Sequence, residues 1–164
     1  MQDALDTVLG ATLPRLTVKV AAGSAITITD GTSTITGTAN TAYAQFFIGD
    51  SFLNPLTDPK GGLFAANVTF EPGCRNNWHI HHASKGGGQV LICVDGEGWY
   101  QEEGKPARRL RPGDVVEIPA NVKHWHGAAA GSWFSHLAFE YPGENCSNEW
   151  LEPFDDEHYN ALEA

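Results

Sequence analysis

Very little in this sequence is basic. Ten Lys and Arg face twenty Asp and Glu across 164 residues, a formal net charge of −10. A chain with that balance repels nucleic acid and anionic lipid surfaces and stays soluble by self-repulsion. Cysteine is scarce too: Cys74, Cys93 and Cys146 are odd in number and widely spaced, with no CxxC pair. That excludes a disulfide framework and suits reduced thiols in the cytoplasm. No apolar run is long enough to span a bilayer. The opening MQDALDTVLGATLPRL has no basic segment followed by an apolar block, so no signal peptide is expected.

What the sequence does have is turn chemistry between short apolar runs. Eighteen glycines and nine prolines accompany frequent Val, Ile and Thr, and 41% hydrophobic residues are enough for one compact core. Residues 1–22 are weakly patterned, with a short helix expected near the start. Ala25–Thr36 alternates Ile and Thr around Asp30-Gly31, a pattern that predicts a type I′ hairpin. That ribbon holds few large side chains and needs a body, or a second subunit, to lie against. From Ala44 onward, runs such as LFAANVTFEPG, QVLICVDGEGWYQEEGK and SWFSHLAFEYPGE recur between PG, DG and EGK turns. They predict an all-β sandwich or barrel. The acidic DDEHYNALEA tail suits a short capped helix. The expected organisation is an arm over residues 1–43 and a barrel with a short tail over 44–164, without internal repeats.

Histidine is concentrated where a strand is expected. In WHIHH, alternation puts His79 and His81 on one face, with Trp78, Ile80 and His82 on the other. Gln89 opens the next strand on a face shared with Leu91 and Cys93. His124 begins another strand after a turn led by Pro119. Three imidazoles and one amide oxygen from neighbouring strands would make an N₃O metal site with open positions. The competing reading is a barrel whose interior histidines hydrogen-bond one another without metal.

These residues resemble the two motifs of the cupins. Gly73, His79, His81, Gln89 and Gly96 follow the first, G-x5-H-x-H-x3,4-E-x6-G, and Gly113, Pro119 and His124 follow the second, G-x5-P-x-G-x2-H-x3-N. Gln89 replaces the glutamate after a longer gap, HASKGGG; Asn121 stands for a glycine and Ala128 for an asparagine. The resemblance covers about Ala44 to Phe154. It implies a single-domain, jelly-roll-like antiparallel barrel that holds a divalent transition metal, manganese first, with Fe, Ni, Co or Zn as alternatives. With glutamine for glutamate the site charge stays near +2 rather than roughly +1, which favours Lewis-acid chemistry over oxygen activation.

VTFEPG, WHxH, GxGW, PGDVV, KHWHGAA and SHLA are similar to a small bacterial group that includes cupin-type hydroxynitrile lyases and carboxymuconolactone-decarboxylase-associated cupins. Carried over, the resemblance implies His79, His81, Gln89 and His124 as metal ligands and His136 as proton carrier. Strand parity in SWFSHLAFEY places Phe134, His136, Ala138 and Glu140 on the cavity face. His136 is then a general acid/base candidate or a rim histidine bonded to a carbonyl. Glu140 would hold that imidazole or offset the missing ligand charge, and His126 would support the ligands or sit at the rim. Asn76 and Lys123 are expected at the cavity mouth. Trp78, Trp125, Trp133, Phe70 and Tyr100 read first as core or interface packing and second as a pocket for an aromatic substrate, and KGGG (Lys85–Gly88) as a flexible loop at the cavity edge. The implied function is a metal-dependent lyase acting on a small hydroxy or carbonyl compound. A metal-dependent dioxygenase and a non-catalytic binding or accessory cupin are the alternatives. A homodimer joined through the arm is expected, as in the family.

Overall fold

A computed structural model describes residues 17–21, 25–29 and 34–162. The chain builds strands β1 (Thr17–Ala21), β2 (Ala25–Thr29), β3 (Thr34–Ala39), β4 (Phe47–Ile48), β5 (Ser51–Pro55) and β6 (Phe64–Phe70). After the first PG turn come β7 (Arg75–Asn76), β8 (His79–His82), β9 (Lys85–Gly86), β10 (Gly88–Gly96) and β11 (Gly98–Glu102). The remainder is β12 (Arg108–Leu110), β13 (Val115–Pro119), β14 (Lys123–Ala128), β15 (Phe134–Glu140), β16 (Gly143–Glu144), β17 (Ser147–Trp150) and helix α1 (Asp156–Ala161).

Among the described residues every strand pair is antiparallel. One sheet runs β1-β2-β3-β5-β6-β15-β10-β13; in the other, β14 joins β11-β12 to β7-β4 and, through β8, to β17. Alternation decides which side chains meet between the sheets. Phe70, Leu91, Cys93, Tyr100, Leu110, Val116, Ile118, Ala128, Phe134 and Ala138 form one buried cluster drawn from both. The opposite face of β14 is covered differently: Trp125 stacks on Phe154 at 3.9 Å between ring centroids, beside Trp99 and Tyr159 of the same cluster. The expected jelly-roll barrel is therefore present, although the two sheets do not close into one hydrogen-bonded ring among the described residues.

The terminal elements follow sequence signals. Asp155 caps α1, its carboxylate accepting from His158 N at 2.9 Å. Arg75 pairs with Asp156 and lies over the Tyr159 ring, whose hydroxyl donates to Ala128 O at 2.7 Å. The hairpin is present, but its register closes at Thr29↔Thr34. The connection thus has four residues, 30–33, rather than a two-residue turn at Asp30-Gly31, and its conformation lies outside the described residues. So does the helix expected near the start. β3 pairs with β5, so the arm continues the main sheet.

The KGGG stretch is not a loose loop. Lys85–Gly86 forms β9 and pairs with β16, and the three glycines all have positive φ. A Cβ on Gly87 would lie 2.5 Å from Ala83 Cβ, and one on Gly88 would lie 2.5 Å from Ile118 O. Glycine is there because the backbone crosses a tight corner in a left-handed conformation.

Candidate metal centre and active site

The histidines converge because β8 and β14 are hydrogen-bonded neighbours in register, with His79 opposite His124. Their rings lie 4.1 Å apart, and His81 is 5.2 Å from His79 and 5.5 Å from His124, between ring centroids. β10 brings Gln89 from the other sheet. Phe47, Phe70, Asn76, His79, His81, Gln89, His126, His136 and Glu140 are among the walls of one cavity of about 130 Å³. His82 points outward, bonded to Glu149 at 2.7 Å and Asn121 at 3.2 Å, as strand parity requires.

Hydrogen bonding orients the rings. His79 Nδ1 donates to Asn77 O at 3.0 Å and His124 Nδ1 to Val122 O at 2.9 Å, which leaves each Nε2 as the nitrogen with a free lone pair. His81 has its Nδ1 3.7 Å from Glu140 Oε1. Its Nε2 is buried without a hydrogen-bond partner, as are His124 Nε2, Gln89 Oε1 and His136 Nδ1. Buried polar atoms without partners are rare and expensive. His81, Gln89 and His136 line one cavity, and the His124 ring lies 5.5 Å from that of His81, so unpartnered donors that a cation could satisfy are found on both sheets around it. Burial also holds the imidazoles neutral, as ligands must be. It drives His79 far down, aided by neighbouring His124 and His81, and lowers His124 to about 4. His81 is lowered less, because Glu140 and Asn148 oppose the effect of burial. The donors present therefore suit a divalent transition metal.

Proximity and lone-pair availability rank the ligands differently. The three histidines whose donor atoms lie within 4.8 Å of one another are His79, His124 and His126. His126, however, is already engaged. Asn76 Oδ1 accepts from His126 N at 2.9 Å, so its amide Nδ2 must face the ring, 3.0 Å from Nε2 and 3.3 Å from Nδ1. An amide N–H there occupies a lone pair that a metal would need.

His136 sits across the cavity from this group, on β15. Its ring stacks on Phe134 at 5.0 Å, meets Phe70 edge-on at 5.4 Å and lies 5.1 Å from His126. Burial in this setting lowers it to about 3. Parity placed His136, Ala138 and Glu140 on the cavity side, and they line it. The Glu140 carboxylate addresses His81, not His136.

Two expectations about the mouth are corrected. Asn76 is buried at 2% exposure, deep beside His126, because it sits on β7 between β4 and β14. Lys123 is on the outer surface, paired with Glu103 at 2.8 Å and Glu152 at 2.6 Å. Phe70 is core packing, as expected, and its ring also forms part of the cavity wall. Sequence reasoning also missed Trp150 and Asn148, which reach the site because β17 pairs with β8 and sets them opposite His79 and His81. Asn148 and Trp150 share a face of SNEW, but four residues are too few for the sequence to announce a strand there.

Fold and site together define a double-sheet β-barrel protein with a buried histidine group fit for a metal. A Cupin domain model matches residues 66–133. The chain belongs to the cupin family. An (R)-mandelonitrile lyase from Granulicella tundricola is 42% identical over 118 residues, which is 71% of this chain and 87% of that protein. The crystal structure of a cupin-like protein from Thermotoga maritima superposes with a TM-score of 0.64 at 40% identity, covering 72% of this chain and 88% of that one. A double-stranded β-helix protein from Klebsiella pneumoniae shares the fold at 17% identity and a TM-score of 0.52, over 62% and 80% of the two chains.

Proposed function

We propose that this cupin is a metal-dependent lyase that cleaves a small hydroxynitrile-like substrate into a carbonyl compound and cyanide. Likeness to the mandelonitrile lyase supports the reaction class. The observation that carries the site is the set of buried lone pairs without protein partners: His81 Nε2, His124 Nε2 and Gln89 Oε1. With His79 Nε2 they would hold the ion. A cavity of about 130 Å³ suits a compact molecule.

His136 is the proton carrier in this reading. Its Nδ1 is buried at the cavity without a partner and its ring is neutral at physiological pH. A base this weak takes a proton only from a hydroxyl of raised acidity, and a divalent ion supplies that when bound, as a Lewis acid. The hydroxyl proton passes to His136, the C–C bond to the nitrile carbon breaks with its electron pair leaving on cyanide, and the oxygen becomes a carbonyl. His136 then returns the proton to cyanide. Phe70 and Phe134 keep the ring in position and exclude water. β1 ends the main sheet among the described residues, and pairing of two copies there, giving a homodimer by light scattering, is part of the proposal.

The test is cyanide release from an aromatic cyanohydrin by manganese-loaded protein, compared with His136→Ala. Release that falls by 10²-fold or more in the variant, with metal content unchanged, is expected. No release above buffer from the loaded wild type overturns the lyase assignment.

A further inference from the structure

Glutamine at position 89 removes a negative charge from the donor set, yet a carboxylate stands directly beside it. Gln89 and Glu140 are paired residues of β10 and β15, so they occupy adjacent strands on the same cavity face. Glu140 lines the cavity, with Oε1 3.7 Å from His81 Nδ1. His81 has its other nitrogen, Nε2, buried and without a partner.

The three proposed histidine ligands therefore differ on their outer sides. His79 and His124 turn Nδ1 to neutral backbone carbonyls, Asn77 O and Val122 O. Only His81 turns it towards a full negative charge. At 3.7 Å the contact is longer than a hydrogen bond, and it acts through charge: a carboxylate facing the outer nitrogen of an imidazole favours the proton there and leaves the inner nitrogen as the donor.

Resting on the metal-site reading above, we infer that Glu140 is a positioning residue that returns through His81 the charge Gln89 withholds. The negative charge has been moved from the ligand position on β10 to the neighbouring strand. It strengthens metal retention through the ring of His81 while the oxygen donor on β10 stays neutral. Asn148 stands opposite His81 on β17 and also lines the cavity.

The test is manganese(II) affinity of purified, metal-stripped protein, measured by competition with a chelator and by the EPR signal of free ion. Wild type is compared with Glu140→Gln, Glu140→Asp and the swap Gln89→Glu/Glu140→Gln. Glu140→Gln is expected to weaken binding by about 10- to 100-fold, with Glu140→Asp in between and the swap restoring affinity. Unchanged affinity in Glu140→Gln overturns the inference and leaves the metal site standing. A weakened Glu140→Gln that the swap fails to rescue overturns charge relocation as the cause. A wild type that binds no manganese fails the underlying site reading instead, which separates the two.

Discussion

Trp150 is held between His79 and Phe46: its ring lies 4.7 Å from the first at an angle of 26° and 4.7 Å from the second at 5°. The stack ties β17 and the 3₁₀ turn at Ala44–Phe46 to the histidine strand β8. It also closes the cavity beside the ring whose Nδ1 is fixed by Asn77. Trp150→Ala removes both stacking contacts and leaves His79 facing solvent. Stability is expected to fall by about 2 kcal/mol, less than for a fully buried tryptophan because Trp150 is half-buried. Thermal unfolding checks this, and release of bound metal to a chelator should be faster in the variant.

That stack also marks where the sequence stopped being readable. Period-two alternation in WHIHH and SWFSHLAFEY is local, so the inward faces of β8 and β15, with His79, His81, His136 and Glu140, could be read directly. Which strands then neighbour one another is not local. SNEW has four residues, too few to announce a strand, and it becomes one only because β8 offers a free edge. Asn76 was misplaced for the same reason, since its burial depends on β14 lying across β7. The glycines of KGGG spoke for flexibility in composition, while the need for glycine comes from the close approach of Ile118 on β13 and of Ala83 and Pro142.

The ligand set can be separated by single substitutions. If His81 coordinates and His126 supports, His81→Ala and His124→Ala lose most bound metal, whereas His126→Ala keeps most of it. Elemental analysis of protein as purified reads this directly. Metal loss in His126→Ala with retention in His81→Ala would instead assign the compact trio His79, His124 and His126. His126→Ala is expected to impair turnover all the same, because Phe70 stacks on His126 at 5.6 Å and His136 packs edge-on against it.

Acid should destabilise the metal-free protein before its carboxylates titrate. Burial lowers His124 to about 4 and His136 to about 3 in the folded state, while the unfolded chain titrates near 6.5. Below that value the unfolded state binds protons the folded state refuses, so stability falls as pH falls, and it levels off above about pH 7.5. Each such histidine costs roughly 1.4 kcal/mol per pH unit between about 6.5 and its folded pKa. Urea midpoints at pH 7.5, 6 and 5 should fall steadily, and a flat profile would mean the imidazoles are solvated. Exposed His82 is the control: its bond to Glu149 raises it, so its NMR titration should centre above 6.5.

The corner before Gln89 gives the sharpest structural test. Gly88 has φ +100°, and a Cβ there would lie 2.5 Å from Ile118 O and 3.0 Å from Ala120 N, both backbone atoms that cannot turn away. Gly104 also has positive φ, +75°, but nothing within 4 Å of its Cβ position. Gly104→Ala therefore carries backbone strain alone, about 1 kcal/mol. Gly88→Ala adds a clash that pushes β10 from β13 at the residue preceding a proposed ligand. It should cost roughly 2–4 kcal/mol and reduce bound metal. Thermal unfolding and metal content of the two variants decide the matter: equal losses would show that the corner yields easily, and a larger loss confined to Gly88→Ala shows that it is what holds Gln89 at the cavity.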